Sequence, residues 1–232
     1  MRATVVTRAQ TRDASEVTAR EVLISSLALA GTLHLPVSAN ALVVFAHGSG
    51  SSRFSPRNMA VANALNRQDI ATLLFDLLTP EEERERANVF DIPLLAERLV
   101  DVVHWIDTKP ELTCLPLGLF GASTGAAAAL VAAAQLGRRV GAVVSRGGRP
   151  DLADAALDAV TAPTLLIVGG LDYGVIELNE QAFARLKALK AIEIVPGATH
   201  LFPERGTLEL VIEHAARWFK IHLARHKRSP EG

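Results

Sequence analysis

The chain has 232 residues, 49% of them hydrophobic and 21% charged, with 24 basic side chains, 25 acidic ones and a net charge of −1. A chain of this length buries roughly three quarters of its unfolded surface without staples, and its composition excludes a disordered or collagen-like polymer. The charge balance argues against a nucleic-acid binder with a broad basic surface, the single cysteine excludes an intrachain disulfide or a cysteine-based zinc site, and no uncharged apolar run is long enough to cross a membrane.

Residues 1–20 read as an N-terminal extension, 21–225 as one domain and 226–232 as a C-terminal tail. The tail carries His226-Lys227-Arg228, a common look for a solvated chain end. Residues 22–30 resemble a short signal h-region ending in Ala-x-Ala, but Asp13, Glu16 and Glu21 ahead of it suit a signal n-region poorly. We read 22–35 instead as two antiparallel strands joined at Ser25-Ser26 and ended by Pro36, in a cytoplasmic protein.

From there strands and helices alternate. Continuous apolar runs at 41–46, 71–75, 115–120, 140–144 and 164–168, with a shorter one at 192–195, predict strands buried on both faces. Helical patterns fall between and after them, at 58–66, 90–106, 124–136, 177–189 and 208–223. The second paints one face with Leu95, Leu99, Val102, Val103 and Ile106, and the last does so with Leu208, Val211, Ile212, Ala215, Phe219 and Leu223. Fewer than twenty residues separate 144 from 164, which leaves room for a short helix at 152–157 and none for a lid domain. The expected fold is α/β, a mostly parallel sheet with helices on both faces.

Ligands bind such sheets beyond the carboxyl ends of the strands. The run 115–120 leads into Gly121-Ala122-Ser123-Thr124-Gly125, a G-x-S-x-G pattern between strand and helix. The glycines permit a tight turn that strains Ser123 and exposes its hydroxyl at a helix start, where the dipole favours developing negative charge. A serine hydroxyl needs a base, and the base an orienting acid. Asp172, in Gly169-Gly170-Leu171-Asp172, is the carboxylate of the loop after 164–168. His200 follows 192–195 in Pro196-Gly197-Ala198-Thr199-His200. The order Ser, Asp, His suits this architecture. Asp151, Asp154 and Asp158 read as solvated surface. His34, His104, His214, His222 and His226 lie on strand or helix or beyond, and none forms a pair with metal-ligand spacing.

The run 41–46 leads into His47-Gly48-Ser49-Gly50-Ser51-Ser52-Arg53. Main-chain N–H groups of Ser49 and Thr124 are the expected oxyanion hole, and His47 the expected brace of the loop. Arg53 and Arg57 flank this loop, and Arg146 and Arg149 follow a strand end on the same rim. Arg53, Arg146 and Arg149 are candidate substrate contacts, since guanidinium groups suit carboxylate or phosphate. Internal pairing with Asp76, Asp151 or residues 81–83 is the alternative.

The stretches H-G-S-G (47–50), G-A-S-T-G (121–125), G-G-L-D (169–172) and G-A-T-H (197–200) resemble the α/β-hydrolase superfamily, over about residues 22–223. FAHGSGSSRFSPRN, LLFDLLTPEEE, SRGGRPDLA and VPGATHLF are similar to its dienelactone-hydrolase-related branch. True dienelactone hydrolases use a cysteine nucleophile; here Ser123 holds that position, and Cys114 precedes the strand. The resemblance implies a serine esterase acting on a small-molecule ester, as a monomer or homodimer, with no cofactor, metal, nucleic acid or membrane partner. Thioesterase or acyltransferase chemistry with the same triad, or non-catalytic binding of an anionic ligand, are the alternatives.

Overall fold

The computed structural model describes residues 16–24 and 28–225. Within them a single sheet has the order β1-β2-β4-β3-β5-β6-β7-β8. Its strands are β1 (Val17–Ile24), β2 (Leu29–Pro36), β3 (Ala41–Ala46), β4 (Ile70–Phe75), β5 (Leu117–Ala122), β6 (Val140–Arg146), β7 (Thr164–Gly169) and β8 (Lys190–Val195). From β4 to β8 all neighbours pair in parallel, while β2 lies antiparallel to both β1 and β4. Every residue of β3 to β7 is buried, which is why these strands read as unbroken apolar runs rather than alternating ones.

The helices cover both faces. Along β3, Leu42, Val44 and Ala46 point into one core with α4 (Ile92–Asp107), α6 (Thr124–Leu136) and the Ala182 side of α7 (Tyr173–Arg185). Ala41, Val43 and Phe45 point into the other, with α1 (Pro56–Asn66) and α8 (Thr207–Arg225). That split is the two-residue period of a strand. No described helix is long and apolar enough to cross a membrane.

Several boundaries differ from the sequence reading. β1 begins at Val17, so the boundary placed after residue 20 falls inside a strand. Its residues 17–21 are exposed and carry no apolar pattern; the register Val17↔Pro36 through Ile24↔Leu29 extends it instead. β5 runs over Leu117–Ala122 rather than 115–120, because Pro116 has no N–H and the Leu115 N–H closes the turn after α5 (Pro110–Thr113) on Leu112 O. Phe90 ends the short α3 (Arg86–Phe90), and Asp91 starts α4 by accepting from Leu94 N at 3.0 Å. The helix expected at 177–189 is Tyr173–Arg185; the Lys190 ammonium takes the Phe183 and Leu186 carbonyls at 2.6 Å each, which holds the chain turning away from the helix end. The segment 152–157 is not an α-helix but part of a 3-10 stretch, Pro150–Ala159, broken at Asp154 with φ +38°.

Besides α5 and the 3-10 turn Gly137–Arg139, two further short elements were not expected. After β4 the chain forms α2 (Pro80–Glu83), opened by a capping box in which Thr79 and Glu82 exchange bonds, and then α3. The Ser25-Ser26 join, residues 1–15 and the tail 226–232 with its basic residues lie outside the described residues.

Candidate active site

The turn from β5 to α6 carries Ser123. Its φ is +52°, a conformation L-residues rarely hold. Both flanking glycines are forced by backbone contact. A Cβ at Gly121 would overlap Ala126 and lie 2.6 Å from the Gly125 carbonyl, and one at Gly125 would overlap the Ala46 and His47 carbonyls. The strain is held by the loop after β6: Ser123 N donates to Arg146 O at 3.3 Å, and Arg149 N donates to Ser123 O at 3.1 Å. The segment Ser145-Arg146-Gly147-Gly148-Arg149 is thus a backbone clamp on the turn.

Asp172 precedes α7, and its carboxylate does not cap that helix. It lies 2.7 Å from His200 Nδ1. Asp172 is mostly buried and the His200 ring is 38% exposed. The two loops are tied through their backbones, Gly170 N to Val195 O at 2.8 Å and Leu171 N to Ala198 O at 2.9 Å. Glu204, which sequence reasoning missed, fixes the His200 loop by accepting from Thr199 N at 3.1 Å and Thr199 Oγ1 at 2.6 Å. The Thr199 hydroxyl holds the Glu204 carboxyl below the ordinary range. Only a local turn signal, an acid five residues after Thr199, marked it in the sequence.

Ser123 and His200 line one cavity of about 330 Å³, together with residues 48–51 of the loop after β3. Among the described residues no hydrogen bond joins their side chains; such contacts are often loose without substrate. Ser49 N, expected to be a free oxyanion donor, donates to Thr124 Oγ1 at 3.0 Å. Thr124 opens α6, where the first N–H groups have no carbonyl one turn back.

His47 braces this loop. Leu77 N donates to His47 Nε2 at 3.1 Å, so the neutral ring carries its proton on Nδ1, which donates to Gly48 O at 3.0 Å. Burial pushes its pKa below the ordinary value. A second, smaller cavity of about 100 Å³ lies behind the loop, between His47, Leu77, Leu78, Val89 and Leu95. Its wall comes in part from α3, so the 76–91 segment supplies apolar cover without a lid domain.

The rim arginines divide. Arg53 pairs with Asp76, which also accepts from Arg53 N at 2.8 Å. Arg149 forms a two-point pair with Asp151 at 2.9 and 2.8 Å. Both guanidinium groups thus hold carboxylates, the internal pairing that was the alternative to substrate contact, and neither lines the Ser123 cavity. Arg146 is different: it lines the Ser123 cavity beside Arg57, which sequence reasoning placed only on the flank of the loop. Asp154 and Asp158 are held by Arg185, each at 3.1 Å. Among the described residues, no three His, Cys, Asp or Glu side chains form a group that could hold a metal ion.

A family model described as an alpha/beta hydrolase domain matches residues 39–217. A dienelactone hydrolase from Anabaena variabilis, of solved structure, is 51% identical, with a TM-score of 0.87, over 91% of this chain and 100% of that one. Est1E from Butyrivibrio proteoclasticus has a TM-score of 0.74 at 18% identity, over 89% of this chain and 99% of that one, a likeness of fold alone. Two Mycobacterium tuberculosis proteins, from the strains CDC 1551 and H37Rv and provisionally named phosphoribosyl transferases, are 59% identical over 203 residues. The match covers 88% of this chain but 46% of theirs, so the chain spans less than half the length of these curated relatives.

Proposed function

The chain belongs to the alpha/beta hydrolase family, in its dienelactone-hydrolase-like branch, and on that premise we propose that it is a serine hydrolase of small or short-chain carboxylic esters or lactones. The observation that carries this reading is the 2.7 Å contact of Asp172 with His200 Nδ1, at a cavity whose wall holds Ser123 at φ +52°.

With Asp172 accepting from Nδ1–H, the neutral ring keeps a lone pair on Nε2. Ser123 Oγ attacks the ester carbonyl and its proton passes to Nε2. The carbonyl electrons move to oxygen, and the N–H groups of Ser49 and Thr124 receive that oxyanion. Ser49 exchanges its bond to Thr124 Oγ1 for the stronger one to a charged acceptor. The carbon–oxygen bond to the alcohol then breaks, and Nε2 returns its proton to the departing oxygen. Water attacks the acyl-enzyme by the same route, giving the acid and restoring Ser123.

Phosphoribosyl transfer, in the names of the mycobacterial relatives, is not carried over, because more than half of each lies outside the match. The test is hydrolysis of a graded series of 4-nitrophenyl esters, acetate to octanoate. Wild type turns over the short members, and Ser123→Ala, with unchanged circular dichroism, loses at least about 10³-fold in kcat. Retained turnover in that variant refutes the assignment.

A further inference from the structure

Ser49, whose N–H is one of the two proposed oxyanion donors, stands on a stretch of chain with little stiffness of its own. Gly48 and Gly50 flank it, and Gly50 sits at φ +67° with nothing within 4 Å of where a Cβ would stand. Among the described residues, 48–52 make one hydrogen bond outside 47–55, the bond of Ser49 N to Thr124 Oγ1 at 3.0 Å. That bond is given up when the Ser49 N–H turns to the oxyanion. At the transition state the aim of the donor therefore rests on the two ends of the loop.

Two consecutive residues after β4 hold those ends. At one end Leu77 N donates to His47 Nε2 at 3.1 Å. At the other, Asp76 Oδ1 accepts from Arg53 N at 2.8 Å, and Asp76 Oδ2 pairs with the Arg53 guanidinium. Asp76 is itself fixed, since its N–H donates to Ala30 O of β2 at 2.9 Å. The guanidinium needs Asp76 less. It lies 4.1 Å over the Phe54 ring and 3.7 Å from a second acid, Glu21 of β1. An ion pair asks only for a carboxylate nearby. The bond to Arg53 N sets where the chain itself lies, so the length of the side chain at position 76 matters.

We propose that Asp76 is a positioning residue for the oxyanion hole. It holds the Arg53 end of the loop, so that the Ser49 N–H stays aimed at the developing charge once it has left Thr124 Oγ1. The inference rests on the serine-hydrolase reading and adds a residue to it.

Two variants test it, Asp76→Asn and Asp76→Glu. The first removes the charge at the same size. The second keeps the charge beside Arg53 but pushes the backbone contact outward by one methylene. Losing an oxyanion donor outright costs about 10²- to 10³-fold in kcat, and a misplacement of about 1 Å can cost nearly as much. On 4-nitrophenyl acetate each variant loses ten-fold or more in kcat, with KM within about two-fold of wild type. Affinity for a trifluoromethyl ketone falls by the same factor, because its hemiketal with Ser123 places an oxyanion in the hole. Asp76→Glu decides the matter even if Asp76→Asn fails to fold, since the ion pair is kept. Wild-type kcat in Asp76→Glu overturns the proposal, because a merely structural ion pair is all that remains. A fall in kcat with ketone affinity unchanged overturns it too. Either result leaves the hydrolase reading standing. Wild type that neither hydrolyses the ester nor binds the ketone brings down the hydrolase reading itself.

Discussion

The Ser49 N–H donates to the Thr124 hydroxyl at 3.0 Å, joining the loop after β3 to the first turn of the helix that follows the nucleophile. The bond ties two strands' exits together before a substrate arrives. It also places both proposed oxyanion donors on one rigid unit, since Thr124 supplies its own N–H from the same turn.

Thr124→Val removes the tie while keeping the side-chain shape. A hydrogen bond of this kind is worth about 1 kcal/mol; it is made in the free enzyme and given up when the Ser49 N–H turns to the oxyanion, so the unfolding free energy falls by about that amount while kcat on a short ester does not fall with it, and Thr124→Ser restores the stability. Denaturant unfolding and steady-state kinetics on the three proteins check this.

Asp172→Asn keeps the volume but offers an amide to His200 Nδ1, which favours the wrong tautomer. A loss in kcat of about 10³- to 10⁴-fold follows, by the logic of such triads. The folded state changes little, because Asp172 caps no helix. Rapid-quench kinetics locate the loss in acylation.

Gly121→Ala forces a Cβ against the backbone of Ala126 and Gly125, where nothing flexible can yield. Overpacking of this kind costs about 1–3 kcal/mol, and the upper end is expected here. Urea denaturation measures it. A variant as stable as wild type contradicts the tight-turn account.

His47 sets an acid limit on stability. Burial lowers its pKa in the fold below the ordinary 6.5, so the folded state prefers the neutral ring that accepts from Leu77 N. The unfolded chain binds the proton more readily. The stabilisation is complete above pH 6.5 and is lost as pH falls through the lower, folded-state pKa. Half-buried His34 adds a change of the same sign, also led by burial. Melting temperature therefore declines below pH 6.5, and His47→Gln flattens that decline. A His47→Gln profile parallel to wild type contradicts the assignment.

The sequence made the central sheet legible because strands buried on both faces must be apolar throughout, and 41–46 is found unchanged as β3. The helix 124–136 was equally plain, since a helix against the sheet next to the nucleophile has room only for small side chains, here Ala126 to Ala129. Ends governed by single hydrogen bonds were less legible. Lys190 holding the carbonyls after α7 and Leu115 closing a turn ahead of Pro116 leave no periodic mark. At the site, G-x-S-x-G and the loop positions of Asp172 and His200 could be read from order alone. The division among the arginines could not, because Arg53 finds Asp76 across 23 residues and Arg146 finds Asn58 across 88.

The most direct test of the central claim is intact-mass analysis after treatment with a fluorophosphonate, on wild type and Ser123→Ala. The account predicts one adduct per wild-type chain and none on the variant, since only a serine activated by His200 displaces the fluoride. Folded wild type that gains no mass, or a variant labelled as fully as wild type, contradicts it.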